Sequence, residues 1–207
     1  MGITVRERRR LDLLLAVHDC ADPAERRHRD TVRRFVEEHA NPFDRSIASG
    51  HITGSAFVID RAGNVLLHHH RKLGLWLQLG GHADGEKSAA EVALRESREE
   101  SGLSDLRFHP GLVDDEIGPL LLDVDVHEIP AREQEPAHLH HDLRFLLVTD
   151  DPGGIQRDLE ESKALSWVPF DEAVRRGDPG MKRALEKIRR LEAGSPAREG
   201  STARETR

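Results

Sequence analysis

The chain has 207 residues, 37% of them hydrophobic, and a formal net charge of −7. This length allows one domain with a single core and short extensions, and it is too short for two full domains. Residues 41–180 carry 26 Asp and Glu against 14 Lys and Arg. That segment repels nucleic acid and phosphorylated ligands unless cations intervene, so we expect no nucleic-acid partner.

The cysteine content and the hydropathy predict where in the cell the protein is located. Cys20 is the single cysteine, which excludes a disulfide framework and fits a reducing environment. The chain has no run of about 18 apolar residues, and its first residues do not resemble a signal peptide. We therefore expect a cytoplasmic protein with no membrane partner.

Two amphipathic helices are predicted at the start of the chain. Residues 4–19 place leucines at helical spacing, and residues 23–39 follow a cap-like Asp22 and carry a second apolar stripe. Their arginine clusters are balanced by acidic residues, which favours a solvated helix face over an RNA contact. We assign residues 1–42 to an N-terminal helical extension. Its apolar stripes could cover the edge of a functional site or form a homodimer.

The next segment has the character of β-strands. SAFVID, the turn signal DRAGN and VLLHHHR predict a hairpin with Gly63 and Asn64 at its tip. A candidate helix at 88–101 is followed by LLLDVDVHEI, LHHDLRFLLVTD and LSWVPF, which are apolar or alternating enough for strands. Two further helices are predicted, one from Asp171 and one over residues 181–193.

This order of elements predicts an α/β or α+β fold. The most specific expectation is a three-layer α/β/α sandwich with a mixed sheet. We expect this domain to span residues 43–193. Residues 194–207 are small and polar and are predicted to form a disordered tail.

The helix predicted at 88–101 concentrates negative charge. At about 100° per residue, Glu96, Glu99 and Glu100 fall within roughly 100° of its circumference. Three neighbouring carboxylates repel one another unless a cation lies between them. Mg²⁺ and Mn²⁺ prefer such oxygen ligands and leave room for water and phosphate. The cluster therefore predicts a metal site that admits a phosphorylated substrate.

A solvated helix, in which Arg95 and Arg98 pair with the glutamates, is the alternative. The glycines around the helix favour the ligand site. Gly80 and Gly81 enter it after the apolar run LWLQL, and Gly102 ends it directly after the carboxylates. Glycines at these positions let the backbone approach a ligand closely.

The stretch GGHADGEKSAAEVALRESREESGL resembles the signature box of Nudix hydrolases, Gly-x5-Glu-x7-Arg-Glu-U-x-Glu-Glu-x-Gly-U, where U is aliphatic. Counted from Gly81, the matching residues are Arg95, Glu96, Glu99, Glu100, Gly102 and Leu103. Lys87 stands at the first glutamate position, next to Glu86, and Ser97 stands where an aliphatic residue is usual. The order of elements resembles the family over residues 52–191.

The resemblance implies a metal-dependent pyrophosphohydrolase. Glu96, Glu99 and Glu100 would bind Mg²⁺ or Mn²⁺ and activate water, Arg95 would orient Glu96, and the Gly80 carbonyl would be a further metal ligand. Glu99, Glu96 and Arg95 are the expected catalytic residues. The substrate would be a nucleoside diphosphate derivative, ADP-ribose-like or a nucleoside triphosphate, with water attacking one phosphorus.

The general base is left open by the box, since Asp142 and Glu161 at the ends of other elements are also candidates. His82 follows the glycines and is expected beside the diphosphate. His138, His140 and Asp142 alternate on one strand face and could form a transition-metal or phosphate site. We expect His82, His140 and Asp142 to contact the substrate.

Two other functions compete with hydrolysis. A non-catalytic Nudix module could bind nucleotide or dock a partner, although it would not need all three glutamates. Isomerase chemistry on a prenyl diphosphate would normally need a cysteine in the site, and Cys20 lies in the helical extension. Pro119, 16 residues after Leu103, is typical of ADP-ribose hydrolases but equally of a turn after Gly118. The chain has no Tyr, whereas diadenosine polyphosphate hydrolases tend to carry one downstream of the box.

Overall fold

The computed structural model describes residues 2–131, 136–160 and 162–194. The helices are α1 (Val5–Val17), α2 (Pro23–Glu38), α3 (Ala89–Ser101), α4 (Phe170–Arg176) and α5 (Pro179–Gly194). The strands are β1 (Gly50–Ile59), β2 (Val65–His70), β3 (Trp76–Leu77), β4 (Leu79–His82), β5 (Arg107–Phe108), β6 (Val113–Asp114), β7 (Gly118–Pro119), β8 (Asp123–Ile129), β9 (His138–Val148) and β10 (Ser162–Val168). Glu161 and the predicted tail from residue 195 onward lie outside the described residues.

The strands form one mixed sheet and a short separate ribbon. The order β10-β2-β1-β9-β5 runs through the eight-stranded sheet, with β3 paired to β2, β4 to β1 and β8 to β9. Strands β1 and β9 pair in parallel, and the other pairings within the described ranges are antiparallel. The predicted mixed sheet is confirmed.

Helices cover both faces of the sheet. On one face, side chains of α1, α2 and α3 share a hydrophobic cluster with Ile52, Ala56 and Val58 of β1. On the other face, Phe57 and Ile59 of the same strand pack in a second cluster with α5. Alternate β1 side chains point to opposite faces, so this strand lies between two cores. The predicted three-layer α/β/α sandwich is confirmed.

The N-terminal helices are buried against this domain. Leu15 of α1 and Val32 of α2 are fully buried in the cluster that α3 also joins. Asp22 caps α2, as predicted, by accepting hydrogen bonds from two backbone N–H groups of its first turn. The two apolar stripes are therefore buried within the chain's own core. None of the helices in the described part of the chain is long and apolar enough to cross a bilayer.

A buried charge holds α2 in place. Glu25 is fully buried, and its Oε1 lies 2.7 Å from Nε2 of His18 and pairs with the ammonium of Lys187 on α5. The same oxygen accepts a hydrogen bond of 3.2 Å from the N–H of Val124 on β8. Burial raises the pKa of Glu25, but the hydrogen bonds from His18 and Lys187 outweigh it and lower the pKa to about 2. The carboxylate thus links α2 to β8 and α5.

Helix α3 packs directly on a glycine of β1. A Cβ at Gly54 would collide with the carbonyl oxygen of Ala89 and lie 2.9 Å from Cβ of Val92. We expect Gly54→Ala to displace α3 and lower the free energy of unfolding by about 1–3 kcal/mol, the usual cost of overpacking. Urea denaturation measures this change in the free energy of unfolding. Gly194→Ala, where a Cβ meets nothing within 4 Å, is the control, and equal losses in both variants would contradict the explanation.

Ser97 is the polar residue on the buried face of α3. It is fully buried, and its hydroxyl has no hydrogen-bond partner among the residues described. A buried unsatisfied hydroxyl is unfavourable, so Ser97→Ala should raise the free energy of unfolding by about 1 kcal/mol. Ser101→Ala is the matched variant and should lower it, because the Ser101 hydroxyl donates to the Ser97 carbonyl. A loss of stability in Ser97→Ala would show that its hydroxyl is satisfied.

Candidate active site

A cavity of about 330 Å³ opens beside the N-terminal end of the paired strands β1 and β9. Seven residues singled out in the sequence line it: Gly80, Gly81, His82, Glu96, His138, His140 and Asp142. Three others lie on α3 outside its lining: Arg95, Glu99 and Glu100. The fold therefore brings the glycine loop, one glutamate of the box and the β9 face together around one space.

Glu96 lies against the glycine loop. A Cβ at Gly81 would stand 2.6 Å from Oε1 of Glu96, so the carboxylate occupies space that only glycine leaves open. Nη2 of Arg95 lies 3.2 Å from the same oxygen. This contact links Arg95 to Glu96 at the cavity wall.

Glu100 is buried beneath β4. Its side chain is 3% exposed, and its Oε2 accepts a 2.9 Å hydrogen bond from the N–H of Gly80. Nδ1 of His68 lies 3.5 Å from Oε1. Burial lowers the pKa of His68 to about 4, so this imidazole is neutral at pH 7. Glu100 thus ties the C-terminal half of α3 to the glycine loop.

Glu99 faces away from the cavity. Its side chain is 56% exposed, and Nη1 of Arg95 donates to its Oε2 at 2.8 Å. The arginine also pairs with Glu86 and donates to the carbonyl of His82 at 2.8 Å. Arg95 therefore joins the loop before α3 to two of the three glutamates.

The donor set fits a hard divalent ion. The three glutamates offer carboxylate oxygens, which Mg²⁺ and Mn²⁺ prefer, and two of them, Glu96 and Glu100, abut Gly80 and Gly81. Within the described ranges, however, the trio is not among the groups of three residues whose ligand atoms lie within 4.8 Å of one another. Glu99, paired with Arg95, is the member that lies apart.

Asp142 is the most heavily bonded carboxylate of the cavity. Its Oδ1 accepts from the Thr53 hydroxyl at 3.0 Å, and its Oδ2 accepts from the Ser55 hydroxyl at 2.8 Å and from Nε of Arg144 at 2.9 Å. Nε2 of Gln78 lies 3.4 Å from Oδ2. Both oxygens are thus engaged in hydrogen bonds, and Asp142 fixes polar side chains of β1.

His82 and His140 meet across the cavity wall. Their Nε2 atoms lie 3.1 Å apart, so one ring donates to the other. Burial lowers the pKa of His82 to about 3 and that of His140 to about 2. Both rings are therefore neutral at pH 7, and they can donate or accept a hydrogen bond without adding charge.

The family model of the NUDIX domain matches residues 51–188. The chain belongs to the Nudix family. This confirms the resemblance drawn from the box and the predicted enzyme class, a Nudix-type pyrophosphohydrolase. Comparison with curated proteins gave no match.

Solved structures show the same fold. An Ap4A hydrolase binary complex from C. elegans is 18% identical with a TM-score of 0.55, covering 70% of this chain and 98% of that one. A NUDIX family hydrolase from Clostridium perfringens is 26% identical with a TM-score of 0.48, covering 68% of this chain and 97% of the other. The nematode structure supports the Nudix sandwich architecture and nothing finer.

The structure shows the surroundings of the two residues that depart from the Nudix box. Lys87 points to the N-terminal segment, with Nζ 3.3 Å from Oδ1 of Asn41. Glu86, one position earlier, pairs with Arg95, and through it contacts the glutamates. Ser97 occupies the aliphatic position and is buried all the same.

Sequence reasoning missed several residues of the Nudix cavity. Arg45 and Lys72 line it from loops, where no periodicity could single them out. His51 is buried on β1 two and four residues before Thr53 and Ser55, which both line the cavity. Alternation along β1 places His51 on the face of Thr53 and Ser55, but His51 is not itself part of the lining, and only the pairing of β1 with β9 brings it to His140.

Two minor predictions concern residues outside this cavity. Pro119 pairs in the β6–β7 ribbon and lines a separate groove beside α1. Cys20 is buried near the start of α2, and burial raises its pKa to about 11. Its thiol is therefore protonated and lies outside the cavity lining, which agrees with the argument against an isomerase that uses a cysteine.

Proposed function

We propose that this Nudix hydrolase cleaves the diphosphate linkage of a nucleoside diphosphate derivative in a reaction that requires Mg²⁺ or Mn²⁺. The observation that carries the proposal is the position of Glu96, whose carboxylate lies against Gly81 and faces the cavity. Glu100, held by the Gly80 N–H, and Glu99 would complete the metal ligands, with the Gly80 carbonyl as a further one.

The cavity suits an anionic substrate with an apolar part. Arg45 and Lys72 supply positive charge at its lining, and Leu73, Leu77 and Ile129 supply apolar surface. The cations would attract phosphate groups, while the apolar residues would contact the moiety attached to them. An ADP-ribose-like compound or a nucleoside triphosphate has both parts.

The residues of α3 would have different roles in the hydrolysis. A bound divalent ion would neutralise phosphate charge and lower the pKa of the attacking water. Water forms a bond to one phosphorus, the bridging P–O bond breaks, and the leaving phosphate keeps the electron pair. A carboxylate accepts the proton of the water, and Glu96 and Glu99 are the proposed candidates. Arg95 orients Glu96 through the contact of 3.2 Å.

Three side chains of the cavity wall are proposed to contact the substrate. His82 and His140 are neutral, so each has one N–H group, and the ring that does not use its N–H in their mutual contact can donate to a phosphate oxygen. Asp142 would accept from hydroxyl groups of a ribose, since a carboxylate repels phosphate. Its bonds to Thr53 and Ser55 hold it in position for this contact.

The remaining expectations about the chain belong to the same proposal. The catalytic domain would span residues 43–193, with residues 1–42 as an extension whose helices share its core. A reducing cytoplasm suits the single buried thiol of Cys20. A homodimer, which size-exclusion chromatography with light scattering would detect, would have to use surfaces other than the buried stripes of α1 and α2.

The proposal is tested with a panel of phosphorylated substrates. ADP-ribose, other nucleoside diphosphate derivatives, nucleoside triphosphates and diadenosine polyphosphates are incubated with the full chain in Mg²⁺, in Mn²⁺ and in EDTA. Chromatography identifies the products. We expect cleavage of at least one compound at a diphosphate linkage in the presence of metal and none in EDTA. Equal turnover in EDTA, or no turnover of any member, would contradict the proposal.

A further inference from the structure

We infer that His51, His138 and His140 bind a first-row transition-metal ion such as Zn²⁺, at a site separate from the glutamates of α3. Two of the imidazoles, His138 and His140, line the cavity, and the ligand atoms of all three lie within 4.8 Å of one another. The inference goes beyond the proposed hydrolysis and does not depend on it, because its ligands are histidine nitrogens and not the glutamate oxygens. A metal ion on His140 would replace the phosphate contact proposed above for this ring.

The sheet brings these rings together. His51 of β1 is the direct partner of His140 in the parallel pairing with β9. His138 precedes His140 by two residues and shares its face of β9. The ring centroids are 4.9 Å apart for His51 and His140, 5.1 Å for His51 and His138, and 5.2 Å for His138 and His140. Two adjacent strands therefore hold the ligands without help from a loop.

The tautomer of one ring suits metal binding. Metal ions bind the imidazole ring nitrogen that carries no proton. Nδ1 of His138 lies 2.9 Å from the carbonyl of Pro136. A carbonyl only accepts, so Nδ1 carries the proton and Nε2 is left as the ligand atom. Such an outer contact is the usual support of a metal-binding histidine.

A fourth imidazole lies beside one of the three ligands. The Nε2 atoms of His82 and His140 are 3.1 Å apart, but His82 is not in the group whose ligand atoms all lie within 4.8 Å of one another. The fourth position of a tetrahedral ion would therefore be left to water or to a phosphate oxygen from the cavity.

The chemistry of the donors selects the class of ion. Imidazole nitrogen suits Zn²⁺, Cu²⁺ and Ni²⁺, whereas Mg²⁺ and Mn²⁺ prefer oxygen. A phosphate site made of cationic histidines is the competing function for the same residues. The contact between Nδ1 of His138 and the carbonyl of Pro136 favours the metal, because it leaves Nε2 of this ring as an unprotonated donor. The histidine site and the glutamate site would therefore take different ions.

The test is a titration of the metal-free full chain with Zn²⁺ by isothermal calorimetry. We expect one equivalent to bind, and Co²⁺ in its place to give the intense visible bands of a four-coordinate nitrogen site. His138→Gln and His140→Gln should each weaken Zn²⁺ binding by about 100-fold. This is the upper end of the loss in affinity measured when a residue that hydrogen-bonds to a metal ligand is replaced. His69→Gln is the control, since His69 contacts Trp76 on β3 instead of the cluster.

The outcomes separate this inference from the proposed hydrolysis. Absence of Zn²⁺ uptake, or equal affinity in His140→Gln and His69→Gln, would overturn it. Thermal melts identify any variant that fails to fold, and His138→Gln, at the first position of β9, provides a second test if His140→Gln unfolds. Zn²⁺ uptake is also measured in Glu96→Gln. Retained uptake there, with Mg²⁺-dependent turnover lost, would show that the two sites are distinct.

Discussion

Glu96→Gln is expected to lower kcat/KM for the Mg²⁺-dependent hydrolysis by roughly 10²–10³-fold. Removing one group that stabilises charge at a reacting centre usually lowers the rate by this much. Glutamine has the shape of glutamate and fits the space beside Gly81, where Oε1 now lies. It carries no charge, so it binds a hard divalent ion poorly and cannot accept a proton from water. Steady-state kinetics with the substrate found in the panel measure the loss.

Glu91→Gln is the matched control for this variant. Glu91 lies on the same helix and is exposed, so its replacement should leave turnover unchanged. Glu100 would be a poorer choice, because it is buried and accepts from the Gly80 N–H, and its replacement mixes catalysis with stability. Turnover of Glu96→Gln within a few-fold of the parent would remove Glu96 from the catalytic residues.

Arg144→Met is expected to lower the free energy of unfolding by about 3–5 kcal/mol, the cost of removing one partner from a buried ion pair. Arg144 is 4% exposed. Its Nε lies 2.9 Å from Oδ2 of Asp142, and its Nη2 lies 3.1 Å from Oδ2 of Asp125. Methionine fills a similar volume but removes the cation that pairs with Asp142, while Asp125 keeps its pair with Arg183 at 3.1 Å. Urea unfolding followed by circular dichroism measures the change.

Arg61→Met is the control for Arg144→Met. Arg61 pairs with Asp150 at 2.9 Å, but its side chain is 69% exposed. An exposed ion pair contributes about 0–1 kcal/mol, so the control should unfold close to the parent. Losses of equal size in the two variants would show that Arg144 does not support a buried network.

The effect of Arg144→Met should also depend on pH. Burial raises the pKa of Asp125, but the hydrogen bond from His127 and the charge of Arg144 outweigh it and hold that pKa well below its ordinary value of 3.8. A lowered carboxyl pKa stabilises the fold above the ordinary pKa, and this contribution is lost as pH falls through the folded value. The difference between parent and variant should therefore be full at pH 7 and shrink below about pH 4.

Much of the fold could be predicted because its signals are local. The helix predicted at 88–101 is α3, and the predicted stop, Gly102, ends it in the left-handed conformation at φ 73°. Strand alternation predicted that His140 and Asp142 share one face, and both line the cavity. These signals come from residues within a few positions of each other, where backbone geometry decides the outcome.

The features that the sequence did not predict depend on contacts between residues that are far apart in the chain. His51 meets His140 because β1 and β9 run in parallel, which no local pattern of either strand encodes. Helical geometry placed Glu99 near the other two glutamates, but it could not show that Arg95 holds its side chain outward. The ion pairs of Arg144 join side chains of β8 and β9, and only the folded register reveals them.

The family match begins at residue 51, but the folding unit begins earlier. Val32 and Leu15 are as deeply buried as Ile52, and they belong to the same hydrophobic cluster. A fragment cut to the boundaries of the match would expose this apolar face to water and invite aggregation. The first two helices should therefore be kept with the Nudix sandwich when this enzyme is expressed, although the family match leaves them out.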